Sequence, residues 1–306
     1  MDSLDLCRRE LESFGEQPSQ LIRRLLTSPR IKVAGFGESH RWNNPHRQLL
    51  AGLIPSLREL GFTHLCLEIG PEFQAPLDEF ARGNIQNVDL EALLVDAGAS
   101  LYQNGIPCPA YFSLLQRARD CGMQIIAIDK DRTERFWFHP EYAQYPREQF
   151  QADRVMQVLA EASINRAIVL GGANHMYIRR PAIQSAHLSM TEHLSNRLTQ
   201  CGDSFAALGG VIYTEARVPD LTFEPLYSLL APATACAVMT SACANLSSFL
   251  LGRDRRCPWG ACFETNIDSC AGITFDICQA IPMSDILAGF WDVLVFHKRD
   301  WQVNTL

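Results

Sequence analysis

Glu38 and His40 stand two residues apart in the segment Gly35-Phe36-Gly37-Glu38-Ser39-His40. Glu68 closes Leu65-Cys66-Leu67-Glu68, Asp129 ends Ile125-Ile126-Ala127-Ile128-Asp129, and His175 follows Ile168-Val169-Leu170-Gly171-Gly172 after two further residues. Imidazole nitrogens and carboxylate oxygens are general acids and bases, and a nearby carboxylate raises the basicity of a histidine. They are also the ligand types of zinc, manganese and cobalt sites. The same side chains therefore suit two jobs, activation of water or capture of a divalent metal by Glu38, His40, Glu68, His175 and Asp129. Each also has an ordinary structural use, because a single His or Glu at the end of a strand often caps a helix or satisfies a backbone group.

What distinguishes the set is its phase along the chain. Every member follows a short apolar run that reads as a strand, and most such runs alternate with amphipathic stretches of helical period. The strands are expected at Ile31–Gly35, Thr63–Ile69, Met123–Ile128 and Ala167–Leu170, with more near 204–213 and 293–297. Helices are expected near 4–15, 17–28, 45–60, 110–120, 147–163 and 181–200. In the third of these, Leu49, Leu50, Leu53, Ile54, Leu57 and Leu60 recur at the spacing of one helix face. Gly61 and Gly122 are natural helix stops. Strands alternating with helices imply an α/β fold, a mainly parallel central sheet flanked by helices on both faces. In such sheets ligands bind beyond the carboxyl ends of the strands, where these five residues fall.

Length and composition set the frame. The 306 residues are read as a single α/β domain over 1–306, with a helical N-terminal extension (1–30) and a C-terminal insertion (about 214–290). A net charge of −7 and only short basic clusters argue against nucleic acid as a partner. Residues 1–14 carry early acids and no apolar run of signal-peptide type, which places the expected location in the cytoplasm. The eleven cysteines, none spaced as CxxC, read as reduced and mostly buried thiols. Residues 225–252 hold no charge but include Pro232, Asn245 and several Ser and Thr; they read as a buried helix pair or packed loop rather than a membrane span. A homodimer interface is the minority reading of that segment. Phe136-Trp137-Phe138-His139 reads as a lid over an apolar substrate or as a staple packing its own loop. The third glycine of a dinucleotide-binding turn is missing after Gly35 and Gly37, and no GxSxG, HExxH or GxxxxGK[ST] occurs.

The order of the motifs carries a likeness. GESH after the first strand, the helix LLxxLIPxLRELGF, then LCLEIG and IVLGGANHM resemble the erythromycin-esterase/ChaN-like superfamily, which includes TIKI and TraB proteins. REQFQADRVMQVL resembles the helix that in this superfamily carries an Arg, and FWDVLVFHKRDW is similar to its closing strand. The likeness covers about residues 30–180 and a short C-terminal piece. It implies that Glu38, His40, Glu68 and His175 are the site residues, with Arg147 and Asp129 as additions. In one branch the first-motif histidine activates water, in another the histidines and an acid hold a divalent metal for peptide hydrolysis, and in the ChaN branch the fold binds haem. A haem would take a histidine or Tyr177 as its axial ligand.

The expected function is thus a hydrolase-like enzyme, an esterase or metallopeptidase type. Glu38 and Glu68 would orient or ligate, and His40 or His175 would act as base on an ester, lactone or peptide-like small molecule. A divalent metal (Mn, Zn or Co), haem, or no cofactor all remain open at this point. The alternatives are a ligand-binding protein of the ChaN type and a non-catalytic interaction domain.

Overall fold

The computed structural model describes residues 3–38, 44–94, 102–103, 106–130, 146–161, 165–172, 176, 188–213, 235–239 and 293–298. The chain begins with helices α1 (Ser3–Phe14) and α2 (Pro18–Leu26), followed by strand β1 (Ile31–Glu38), helix α3 (Asn44–Glu59) and strand β2 (His64–Leu67). A 3₁₀ turn (Pro71–Phe73) leads into α4 (Gln74–Ala81) and α5 (Asn87–Leu93). The two-residue strands β3 (Tyr102–Gln103) and β4 (Ile106–Pro107) pair with each other, and α6 (Pro109–Asp120) and β5 (Gln124–Ala127) follow. The remainder is α7 (Arg147–Glu161), β6 (Ala167–Gly172), α8 (Met190–Gln200), β7 (Ser204–Tyr213), β8 (Ala235–Met239) and β9 (Val293–Lys298).

Among the described residues, seven strands form one sheet in the order β5-β2-β6-β1-β7-β9-β8. Every neighbouring pair is parallel except β8 with β9. The mainly parallel α/β fold expected from the sequence is the fold observed. Strands β2 and β6 are buried along their whole length, as strands covered on both faces must be. One cluster joins Ala34, Phe36, Leu65, Leu67, Ile168 and Leu170 to Leu50, Leu57, Leu77, Phe80 and Leu114 of helices α3, α4 and α6. The alternate sheet residues Val33, Cys66 and Val169 are buried outside that cluster, as are Val155 and Val158 of α7 and Leu194 and Leu198 of α8. The helices after β1 and β2 therefore lie on one face, and those after β5 and β6 on the other.

That division creates the crevice. β6 lies between β1 and β2, and the helix after β6 is on the opposite face from the helices after its two neighbours. Connections that diverge to opposite faces leave a gap at the carboxyl ends of adjacent strands, where α/β proteins bind ligands.

Three differences from the sequence reading have physical causes. β1 runs on to Glu38, through glycines read as a turn. Gly35 is there for close packing: a Cβ would lie 2.3 Å from the Phe205 ring and 3.0 Å from Met176 Sδ. This continuation also removes the turn on which a dinucleotide-binding reading would rest. Second, the uncharged segment contains strand β8, so its described part is not helical; Ala-Cys-Ala-Val-Met is a short apolar run that fits a strand as well as a helix by pattern alone. Third, α8 begins at Met190 rather than 181. Ser189 caps it, its hydroxyl accepting from Glu192 N while the Glu192 carboxylate accepts from Ser189 N. Residues 177–187 lie outside the described residues. Gly61 and Gly122 end α3 and α6 with φ of 89° and 66°, the left-handed conformation that favours glycine.

The opposite, amino-terminal edge is held by Arg166. Its guanidinium donates to the carbonyls of Ile31 (2.9 Å), Leu26 (2.8 Å), Ser28 (3.1 Å) and Leu60, tying α2, β1 and the end of α3 together. It also lies 4.1 Å above the Phe62 ring.

Candidate functional site

Glu68 is the first residue beyond β2, Asp129 the second beyond β5, and Arg147 the first of α7. Parallel pairing of β2 with β5 brings the two acids to one edge, and α7 returns over the face they share. Arg147 Nε donates to Asp129 Oδ1 at 2.5 Å and Nη2 to Asp129 Oδ2 at 2.6 Å. Nη2 also donates to Glu68 Oε1 at 2.5 Å. One guanidinium therefore bridges two carboxylates from neighbouring strands, using the planar fork that lysine lacks.

The remaining carboxylate oxygens are held as well. Glu68 Oε2 accepts from the Gly172 backbone N–H at 2.6 Å, which links β2 to the last residue of β6. Asp129 Oδ1 also accepts from Lys130 N at 2.9 Å and from Gln151 Nε2 at 3.1 Å. Asp129 is fully buried, and the Glu68 and Arg147 side chains are 9% and 18% exposed. Burial by itself would lower the pKa of Arg147; the charge of Glu68 and then the bonds and charge of Asp129 outweigh it and hold it above its ordinary value. Arg147 is thus permanently charged, and both carboxylates serve as acceptors.

Gly171 belongs to the same arrangement. A Cβ at this position would come within 3.0 Å of Glu68 Oε2 and 3.1 Å of Met176 Cε, so the absent side chain leaves room for the carboxylate. Cys66, two residues before Glu68, is buried, and burial pushes its thiol up to about 12. It is a packing residue, without the thiolate a nucleophile needs.

Of the residues singled out from sequence, Glu68, Asp129 and Arg147 are in direct contact. Glu38 is the last residue of β1, and its backbone is paired in register with Gly172. Its side chain, together with His40, His175 and Tyr177, lies outside the described residues, as do the aromatic stretch 136–139 and most of the C-terminal cysteines. Gln151 and the Gly172 amide were not anticipated. The Gly172 contact follows only from strand register, and Gln151 stands one helical turn after Arg147, the sole sequence hint that both face one partner. Gln151 is 1% exposed, and its Oε1 is buried with no hydrogen-bond partner among the described residues.

The described donors do not fit a metal ion between Glu68 and Asp129, because the positive guanidinium of Arg147 already occupies that position. Among the described residues no three His, Cys, Asp or Glu side chains group closely enough to hold a metal.

The architecture is shared with known structures. Over 95% of this chain and 96% of the other, it is similar to a succinoglycan biosynthesis protein, with 10% identity and a TM-score of 0.57. A crystal structure from Bacillus cereus matches over 97% and 98% of the two chains, with 11% identity and a TM-score of 0.54. The haem-binding ChaN of Campylobacter jejuni matches over 66% of this chain and 88% of its own, with 14% identity and a TM-score of 0.43. Several bacterial toxin structures also match, but the chain spans only 21% to 37% of their length. The first two likenesses are distant and concern the fold alone. No family model and no curated protein matches the sequence. Among the described residues, no helix is long and apolar enough to cross a membrane.

Proposed function

We propose that this protein is a hydrolase-like acid–base enzyme acting on an ester, lactone or peptide-like small molecule at the carboxyl edge of its sheet. The observation that supports it best is the bridge from Glu68 through Arg147 to Asp129, buried beside the crevice where β6 separates β1 from β2. Solvent-exposed ion pairs contribute little, whereas this one is buried. This one converges from three elements on the place where such folds carry chemistry.

In this proposal Glu68 is an orienting anion. With Oε1 on Arg147 and Oε2 on Gly172 N, it is fixed in place and charged. The base is His40, two residues after Glu38, or His175, three residues after Gly172. The imidazole takes a proton from water, and the resulting hydroxide attacks the carbonyl carbon. The tetrahedral intermediate collapses, the carbon–oxygen or carbon–nitrogen bond breaks, and the imidazolium returns its proton to the leaving alcohol or amine. A positioned base of this kind contributes about 10²–10⁴-fold. Gln151 Oε1, a buried acceptor without a donor among the described residues, suits a hydroxyl or amide N–H on the bound molecule. No step in this sequence passes through a metal or haem.

A hydrolysis screen of macrocyclic esters, lactones and short peptides tests the proposal, run on the wild type, His40→Ala and His175→Ala. Turnover by the wild type, lost in at least one folded histidine variant, is the expected result. A Soret band on haem titration with no hydrolysis of any substrate would overturn it in favour of ligand binding.

A further inference from the structure

Met176 is fully buried, and its thioether lies across the ends of β1 and β6. Two glycines make its seat. A Cβ on Gly35 would lie 3.0 Å from Met176 Sδ, and one on Gly171 would lie 3.1 Å from Met176 Cε. The parallel register pairs Gly35 with Val169 and Gly37 with Gly171, so the two seating glycines stand on adjacent strands. Side chains alternate along a strand, which puts both glycines on the face of Val33 and Val169. Phe205 of β7 borders the same spot over Gly35, and sulfur beside an aromatic ring is a favourable pairing.

The other border of that seat is Glu68. A Cβ on Gly171 would also lie 3.0 Å from Glu68 Oε2, so the carboxylate and the Met176 methyl group flank one position. The same oxygen accepts from the Gly172 N–H at 2.6 Å. Gly172 and Met176 are therefore both fixed beside Glu68, and in the chain only Ala173, Asn174 and His175 separate them. A trans peptide holds consecutive Cα atoms about 3.8 Å apart, so the seat of Met176 limits where the His175 backbone can be. Methionine suits this use, because its unbranched chain fills an irregular gap.

We propose that Met176 is a positioning residue: seated on Gly35 and Gly171, it holds His175 against the Glu68 carboxylate. The proposal rests on the reading of Glu68 and His175 as parts of one site. The thioether carries no proton and makes no bond to substrate; it acts through the imidazole of the residue before it. Leucine, close to methionine in volume, serves in its place, whereas alanine leaves the seat unfilled.

NMR of the His175 ring, assigned by loss of its signals in His175→Gln, tests the placement without any substrate. Glu68→Gln removes the neighbouring charge and should shift the His175 ring signals in the wild-type background. That response should vanish when Met176→Ala is also present and persist alongside Met176→Leu. Urea unfolding checks that each variant folds cooperatively, and Met176→Val replaces Met176→Ala if the alanine variant does not fold. With a substrate from the hydrolysis screen, Met176→Ala should lower kcat by about 10²-fold, the loss expected when a reacting group is misplaced by about 1 Å. KM should stay near the wild-type value, and Met176→Leu should restore kcat. The same response to Glu68→Gln with and without Met176→Ala would overturn the proposal, and so would no response in the wild-type background. An unchanged kcat in folded Met176→Ala, where His175→Ala abolishes turnover, would overturn it as well. The expected ring responses without hydrolysis of any substrate would uphold the positioning role and overturn the hydrolase reading alone.

Discussion

Arg147 meets Asp129 side-on, with Nε on one carboxylate oxygen at 2.5 Å and Nη2 on the other at 2.6 Å, and the same Nη2 reaches Glu68. Two loops that leave neighbouring strands are thereby fixed to one helix. Breaking a buried pair by removing one partner leaves an uncompensated charge, which typically costs about 3–5 kcal/mol. Arg147→Met should therefore lose about 3 kcal/mol, near the low end of that range because the Arg147 side chain keeps 18% exposure. Adding Asp129→Asn to Arg147→Met should recover part of the loss. Urea unfolding of the two single variants and the double variant measures the coupling, and purely additive losses would show that the pair is not an energetic unit.

His64 gives a pH signature at the other end of the sheet. Its Nε2 lies 3.1 Å from Gln124 Oε1 and its Nδ1 2.8 Å from Thr63 Oγ1. Burial holds its pKa below the ordinary value, against the smaller upward pull of the Gln124 bond and Glu161. The unfolded chain then binds more protons than the folded one between the lowered pKa and about 6.5. Stability from this group is complete above about pH 6.5, falls as pH drops through that range, and levels off below the folded pKa. The slope is at most about 1.4 kcal/mol per pH unit for one proton. Replacing His64 with Gln should flatten the stability profile between pH 7.5 and 5.5, as measured by urea midpoints at several pH values; an unchanged profile would contradict the assignment.

The described thiols divide by environment. Cys66 is buried with its thiol pushed up to about 12, whereas Cys201 is exposed just beyond α8. Brief alkylation of the native protein at pH 8, followed by peptide mass mapping, should label Cys201 and leave Cys66 unmodified until denaturant is added. Labelling of Cys66 at the same rate as Cys201 would mean that the interior at β2 opens far more easily than its packing implies.

Much of the fold was legible because it follows from periodicity. Leu50, Leu53, Ile54 and Leu57 mark the buried face of α3, and the helices at 110–120 and 147–163 were placed within two residues of their observed ends. Local pattern failed where tertiary contact decides. Gly35 and Gly37 look like a turn, but Gly35 is small because Phe205 packs against it. β8 could not be told from helix because five apolar residues have no distinguishing period. At the site, Glu68 and Asp129 stood out by their position after strands, whereas Arg147 was suggested only by family likeness. Gln151 gave only the hint of its place one helical turn after Arg147, and its partner Asp129 is 22 residues away in the chain.

The proposed role of Glu68 can be tested apart from its role in the fold. Glu68→Gln keeps the shape and an acceptor for Gly172 N but removes the charge beside Arg147. Turnover of a substrate found by the hydrolysis screen should be measured for the wild type and this variant side by side, with unfolding curves for both. A fall in kcat of about 10²-fold or more, with the variant still folding cooperatively, is expected if Glu68 orients the reacting groups. Equal kcat in a folded Glu68→Gln variant would contradict the assignment of the chemistry to this edge of the sheet.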